Sequence, residues 1–190
     1  RLLDSIAPLM EEPERLYEAL EFYFEAYKEH NGRMWAGKLG LEGFNAGDEG
    51  LVTELTSILQ RVETDMTIFF RMLSTIRRPD VDHLRFAFYN EDAIPEDEWN
   101  DWLGKWWDRV NEKPDQEKMR SSNPKYVLRN WMAQLAIDAA EKEDYSVAIE
   151  LYELLKRPYD EQTEFESRWF NKRPEWARHR VGCSMLSCSS

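Results

Sequence analysis

With 190 residues, 42% of them hydrophobic and 13% aromatic, the chain can form one domain that buries roughly 70% of its unfolded surface without disulfide or metal staples. Its formal net charge of −12 excludes nucleic acid as a partner, because binding a polyanion needs a basic footprint. No apolar run approaches the roughly 20 residues that span a bilayer, and nothing resembles a signal peptide, so a soluble chain with no membrane partner is expected.

Arg1 runs straight into Leu2-Leu3-Asp4-Ser5-Ile6, the look of a segment cut from something longer. After it, Glu11-Glu12-Pro13-Glu14 sets proline and acids where a helix starts well. Leu16, Leu20, Tyr23, Phe24 and Tyr27 recur at steps of three and four, a stripe expected to continue through Met34 and Leu39 and to stop at Gly40. Residues 44–50 carry two glycines and read as a loop, with Asp48 a cap for a helix bearing Leu51, Leu55, Ile58 and Leu59. A further helix from about Thr64 turns Met66, Phe69, Phe70 and Leu73 inward. Val81 to Tyr89 suits a short helix, although Phe86, Phe88 and Tyr89 also suit a strand.

From about Pro95, Trp99, Trp102, Leu103, Trp106 and Val110 share one helix face. At this spacing indoles fill a gap between helices; the rival reading is a stacking platform for a ligand or peptide. Trp107 falls off the face. Lys113 to Ser122 reads as polar linker, and Asn123-Pro124 as N-cap and first turn of a helix carrying Val127, Leu128, Trp131, Leu135 and Ile137 to about Lys142. Asp144 opens the next helix, with Val147, Ile149, Leu151, Leu154 and Leu155, and Pro158 closes it. The pair has the form of a single tetratricopeptide-like hairpin, but a repeat protein needs about three such units. Residues 1–158 thus form a helical body, and 159–190 an extended tail pinned by Trp169 and Trp176. Within residues 167–190, Arg168, Lys172, Arg173, Arg178 and Arg180 stand against Glu175 alone. Such a tail lies back on the acidic body or meets an acidic partner.

The chemistry-bearing residues form no recognisable constellation. There is no Gly-rich phosphate loop. His30, His83 and His179 are scattered, and Asp80 with His83 is one acid–histidine pair where a bundle metal site needs two plus further carboxylates. Glu18, Glu21, Glu25 and Glu29 read as a solvated helix face. Cys183 and Cys188 both fall near the end of the chain, unlike a secreted disulfide framework, and lack further zinc ligands. A reducing intracellular setting, cytoplasm or organelle, is expected.

Several strings nevertheless resemble one family. The run Asn123-Pro124-Lys125-Tyr126-Val127-Leu128-Arg129-Asn130-Trp131-Met132-Ala133-Gln134, continued by Ala136-Ile137-Asp138-Ala139-Ala140-Glu141-Lys142, is similar to the C-terminal motif of the selenoprotein O family. Ala36-Gly37-Lys38-Leu39-Gly40-Leu41, Phe70-Arg71-Met72-Leu73-Ser74, Pro158-Tyr159, Pro174-Glu175-Trp176-Ala177 and Ser187-Cys188-Ser189-Ser190 match in the same order. The resemblance implies a mainly α segment: the helical C-terminal part of a protein-kinase-like (α+β) fold, with an extended C-terminal tail. Its parent would be a protein adenylyltransferase moving AMP from ATP, with Mg2+, to hydroxyls of client proteins. The lysine, metal-binding acids and phosphate cradle that such chemistry requires precede the matched region in the family. No catalytic, nucleotide or metal residue therefore transfers onto this chain. Its partners would be the N-terminal catalytic part of the same polypeptide and, through the parent, the clients.

Cys188 matches the position where some members carry selenocysteine, which implies a redox handle. Its disulfide partner would be Cys183 or a cysteine in the catalytic part. The match departs from the family pattern at Val181 to Leu186, which puts that partner in doubt, and over residues 77–120. The rival reading is an independent helical interaction module that binds through Trp99–Trp107. A buttress separated from its lobe should instead expose a large apolar face.

Overall fold

The computed structural model describes residues 2–10 and 12–183. Cys188 and the rest of the terminal tetrapeptide lie outside them. Helices carry the fold, and no strand forms among the described residues; none of these helices is long and apolar enough to cross a membrane.

A short helix α1 (Leu2–Ile6) leads into α2 (Glu14–Leu39), which ends where expected. Gly40 adopts the left-handed conformation with φ 66°, and its N–H caps the last turn. The apolar stripe does not continue to Leu39 as anticipated. Tyr23, Phe24, Tyr27 and Met34 are exposed, and α2 buries Gly32, Ala36, Gly37 and Leu39 instead. Gly32, Ala36 and Leu39 lie on another side of the helix, because the turn repeats every 3.6 residues, while Gly37 borders the stripe.

Helix α3 (Asp48–Leu59) begins at Asp48 rather than being capped by it. The Asp48 carboxylate is buried, accepts a bond from the Asn45 N–H (2.7 Å) and pairs with Arg109 (2.6 Å). In α4 (Met66–Leu73) the N-cap is Asp65, whose side chain accepts from the Ile68 N–H at 3.1 Å. Phe69, Phe70 and Leu73 turn inward, whereas Met66 is exposed. Residues 81–87 form a 3-10 helix, and an antiparallel bridge then joins Phe88 to Thr64. The short-helix reading therefore holds, as a 3-10 helix, and the strand reading is reduced to this single bridge.

Helix α5 (Glu96–Arg109) settles the tryptophan question. Trp99, Trp102 and Trp106 are each 0% exposed, and Leu103 is equally buried. Trp102 donates to the Leu51 carbonyl and Trp106 to that of Leu39, each at 2.9 Å. Trp107 packs half-buried against the same core. A binding face at Trp99–Trp107 is thus overturned: the indoles hold α5 against α2 and α3, and their surface is spent in the interior.

The supposed linker contains α6 (Gln116–Ser122), capped by Asp115, which buries Met119 completely. Asn123 closes α6 instead of opening the next helix, and α7 (Asn130–Ala140) starts seven residues later. Helix α8 (Ser146–Leu155) completes the hairpin. Leu151 and Leu154 are buried there, but Ile149 is exposed, as are Val127, Leu128 and Ile137 of the preceding stretch.

The tail is not extended throughout. It forms α9 (Thr163–Trp169) and a short α10 (Glu175–Arg178). Trp169 is buried as a pin, but Trp176 is exposed beneath Arg180. The tail's cations lie back on the body: Arg173 and Arg178 pair with Glu63, Arg168 with Glu150 and Arg180 with Asp138.

Two apolar clusters result. One gathers residues between Ala36 and Met119 around the α5 tryptophans; the other, centred on Trp131, Leu154 and Trp169, runs from Tyr126 to Cys183. Phe170 packs against both.

Candidate functional site

Polar chemistry concentrates at the seam between the two clusters, in the loop Asn123–Arg129. This is the Asn-Pro string that the sequence analysis took for a helix start. An Asn-Pro step favours extended backbone before the proline, and here the loop stays extended because tertiary partners take up its polar groups. The Lys125 and Tyr126 N–H groups both donate to the Pro158 carbonyl, at 2.8 and 3.1 Å.

Each side chain of the loop then reaches a different element. Asn123, 1% exposed, accepts from Lys38 Nζ (3.2 Å) and donates from Nδ2 to the Lys38 carbonyl (2.9 Å). Lys125 donates to Glu161 and Glu166, each at 2.9 Å. The Tyr126 hydroxyl donates to the carbonyls of Glu161 (2.9 Å) and Gln162 (3.1 Å). Arg129 forks onto Asp65, the cap of α4, and reaches the Asn171 carbonyl at 2.9 Å.

From the other side Arg71 of α4 enters the same cluster. Its guanidinium donates to the carbonyls of Arg120 and Asn123, both at 3.2 Å, and pairs with the Glu161 carboxylate. Glu161 is therefore shared by two cations, Arg71 and Lys125, whose side chains are each only 4% exposed. Burial pushes the Lys125 ammonium down, but its bonds to Glu161 and Glu166 outweigh that and leave its pKa raised. Burial likewise pushes Glu161 up, and Lys125 and Arg71 hold it below the ordinary carboxylate range. Lys38, facing an amide and no carboxylate, is lowered by burial.

The arrangement is a clamp. It fastens α2 through Lys38, α4 through Asp65 and Arg71, and the segment from Pro158 to Asn171 onto one loop. Buried ion networks contribute little net stability against an apolar substitute, but removing one member strands a charge. They fix which elements meet, and in what register.

The string from Ala36 to Leu41 has a comparable structural reason. Gly37 lies where α2 crosses α6, so close that a Cβ would stand 2.5 Å from Ser122 Oγ. Gly40 supplies the left-handed cap against Met119, and the Leu41 carbonyl accepts from Lys118 Nζ at 2.6 Å.

The residues singled out for chemistry lie apart. His83 bonds to Thr75 and to the Met72 carbonyl, while Asp80 pairs with Arg78. The described acids do not converge: no group of three or more His, Cys, Asp or Glu among the described residues could hold a metal ion. Cys183 is buried in the second cluster; its companion Cys188 lies outside the described residues. Sequence reasoning missed Arg71, Glu161, Glu166 and Asp65. The available signal was a set of cations, Lys38, Arg71, Lys125 and Arg129, inside otherwise apolar matched strings.

Comparisons with known proteins fall on the same strings. The family model described as "Protein adenylyltransferase SelO" matches residues 1–156. Among curated proteins, the protein nucleotidyltransferase YdiU of Flavobacterium johnsoniae is 46% identical over 100% of this chain and 39% of its own length. Its counterpart in Aromatoleum aromaticum is 44% identical, over 100% and 38%. That in Rhodopirellula baltica is 43% identical, over 100% and 39%. The chain thus spans about two fifths of the curated relatives it matches, as their C-terminal portion.

Proposed function

The chain belongs to the SelO family of protein adenylyltransferases, and from that premise we propose that it is the non-catalytic C-terminal part of an enzyme that transfers AMP from ATP to hydroxyl side chains of client proteins. The observation that carries this reading is the pairing of a family match over residues 1–156 with a span of 39% of the F. johnsoniae relative. In this reading the lysine, the Mg2+-binding acids and the phosphate cradle that nucleotide chemistry demands sit upstream, in a kinase-like lobe. ATP and Mg2+ bind there.

The contribution of the present residues is mechanical. A transferring enzyme must hold its reacting groups within fractions of an ångström, and supporting shells decide whether it does. The clamp around Glu161 supplies such support. It locks α2 and α4 to the loop that follows α6, so helices adjoining the upstream lobe cannot slide past one another.

Cys188 adds a regulatory element to this proposal, with Cys183 or an upstream cysteine as its partner. Closing a disulfide removes two electrons and two protons from the two thiols, which a peroxide or disulfide oxidant accepts. The Cys188→Ser variant of the family-length enzyme should lose redox sensitivity without losing its fold. Identical responses to oxidant and reductant in variant and wild type would remove this element.

Transfer of labelled AMP from ATP with Mg2+ tests the main reading. Labelling is expected with the family-length protein and not with the 190-residue chain alone. Labelling by this chain alone would overturn the assignment.

A further inference from the structure

Between Glu14 and His30 the long helix α2 carries no buried residue. This arm is two-faced. At 3.6 residues per turn, Leu16, Leu20, Tyr23, Phe24 and Tyr27 fall on one side, and Glu14, Glu18, Glu21, Glu25 and Glu29 fall on the other. Tyr23, Phe24 and Tyr27 are each more than half exposed. Tyr23 stacks on Tyr27 at 6.2 Å and meets Phe24 edge-on at 5.7 Å, so the rings already form one continuous surface.

The body does not cover this stripe. It meets α2 nearer the C-terminal end, through Gly32, Ala36, Gly37 and Leu39 and through the bonds of Lys38 to Asn123, and it buries no residue between Glu14 and His30. The apolar stripe therefore lies on the length of α2 that the body leaves uncovered. In proteins most helical stability comes from packing an amphipathic face, and a contiguous aromatic patch of this kind marks an interaction surface. A different neighbour must cover it.

The relatives' length identifies that neighbour. The chain corresponds to the C-terminal 39% of the F. johnsoniae relative's length, so most of the relative precedes the matched region. That upstream part enters beside the arm, since α1 reaches it through the Tyr17 hydroxyl, which donates to Asp4 at 3.2 Å. We propose that the Leu16–Tyr27 stripe is the surface on which the upstream part of the same polypeptide packs. The interface rests on the reading of this chain as the C-terminal part of a longer enzyme, and it names the face through which the two parts meet. The glutamate row stays in solvent as the outer side of the joint.

Amide hydrogen exchange tests this in the family-length protein and in the 190-residue chain side by side. Amides between Glu18 and Lys28 should exchange on the order of 100-fold more slowly in the longer protein, while those of α5 stay equal. Tyr23→Glu with Tyr27→Glu should restore fast exchange in the arm, and Glu21→Lys with Glu25→Lys should not. Equal exchange of the arm in both proteins would overturn the proposal. So would protection in the short chain as a monomer, or protection in either protein that appears only as copies pair in sedimentation. AMP transfer in the same samples reads the functional assignment separately. Transfer by the short chain sinks that assignment whatever the arm does, and an unprotected arm in an active long protein sinks only the interface.

Discussion

Lys38 and Asn123 are bonded to each other twice: the lysine ammonium donates to the Asn123 side-chain Oδ1 at 3.2 Å, and the Asn123 Nδ2 donates back to the Lys38 main-chain carbonyl at 2.9 Å. The two residues come from different matched strings, 85 positions apart in sequence. Their reciprocity explains an otherwise odd placement, a lysine near the end of a buried helix turn with no carboxylate beside it. The amide satisfies both the cation and the orphan carbonyl that every helix end leaves.

Replacing Asn123 with alanine leaves that carbonyl and the ammonium without their partner inside the protein. A destabilisation of about 1–3 kcal/mol is expected, read as a lower midpoint in urea unfolding with an unchanged slope. A midpoint equal to wild type would show that the pair holds nothing.

Glu161 should make stability depend on pH in a defined direction. Its folded pKa lies below the ordinary 4.5, so its contribution is present above that value and fades as pH falls through the folded one. Lys125, raised above 10.5, contributes fully below that value and loses its contribution as pH rises through the folded one. The clamp is thus complete between the two. The stability gap between wild type and Glu161→Gln should be widest near about pH 7 and shrink towards about pH 3, measured by urea unfolding at each pH. A gap that stays constant across that range would contradict the shared-carboxylate arrangement.

Gly37 and Gly40 should resist alanine for different reasons. At Gly37 the new Cβ would stand 2.5 Å from Ser122 Oγ and push α2 off α6, an overpacking cost of about 1–3 kcal/mol. Ser122→Gly in the same chain should recover part of the loss. At Gly40 the left-handed φ of 66° adds about 1 kcal/mol of backbone strain, which no change at Ser122 relieves. Thermal unfolding of the single and double variants separates the two.

Cys183 should be slow towards thiol reagents. With Cys188 replaced by serine, the remaining thiol sits in the apolar cluster and should react at least about tenfold more slowly than a free thiol until the protein is unfolded. Reaction at the free-thiol rate in the native state would place Cys183 outside that cluster.

Local pattern carried part of this structure. The Gly40 stop, the buried indoles of α5 and the inward Phe69, Phe70 and Leu73 all follow from spacing and residue type. Spacing could not say which neighbour a stripe faces, and so the Leu16–Tyr27 row was expected to share the side of Leu39. Asn123-Pro124 has the chemistry of a helix start, yet Lys38 and Arg71, far away in sequence, take its polar groups and keep the backbone extended. Met119 was hidden inside a polar stretch because one buried thioether gives no periodicity. The clamp was legible only as cations in odd places. Their acids, Asp65 on one side and Glu161 with Glu166 on the other, come from two distant segments, and only the folded chain brings them to one loop.

Phe170 lies against both apolar clusters, with its ring 6.4 Å from those of Phe86 and Tyr126. The two interiors thus share Phe170 as a party wall. Whatever thins that wall opens both rooms together, so a cavity at Phe170 should weaken the two halves at once and loosen the coupling of their melting.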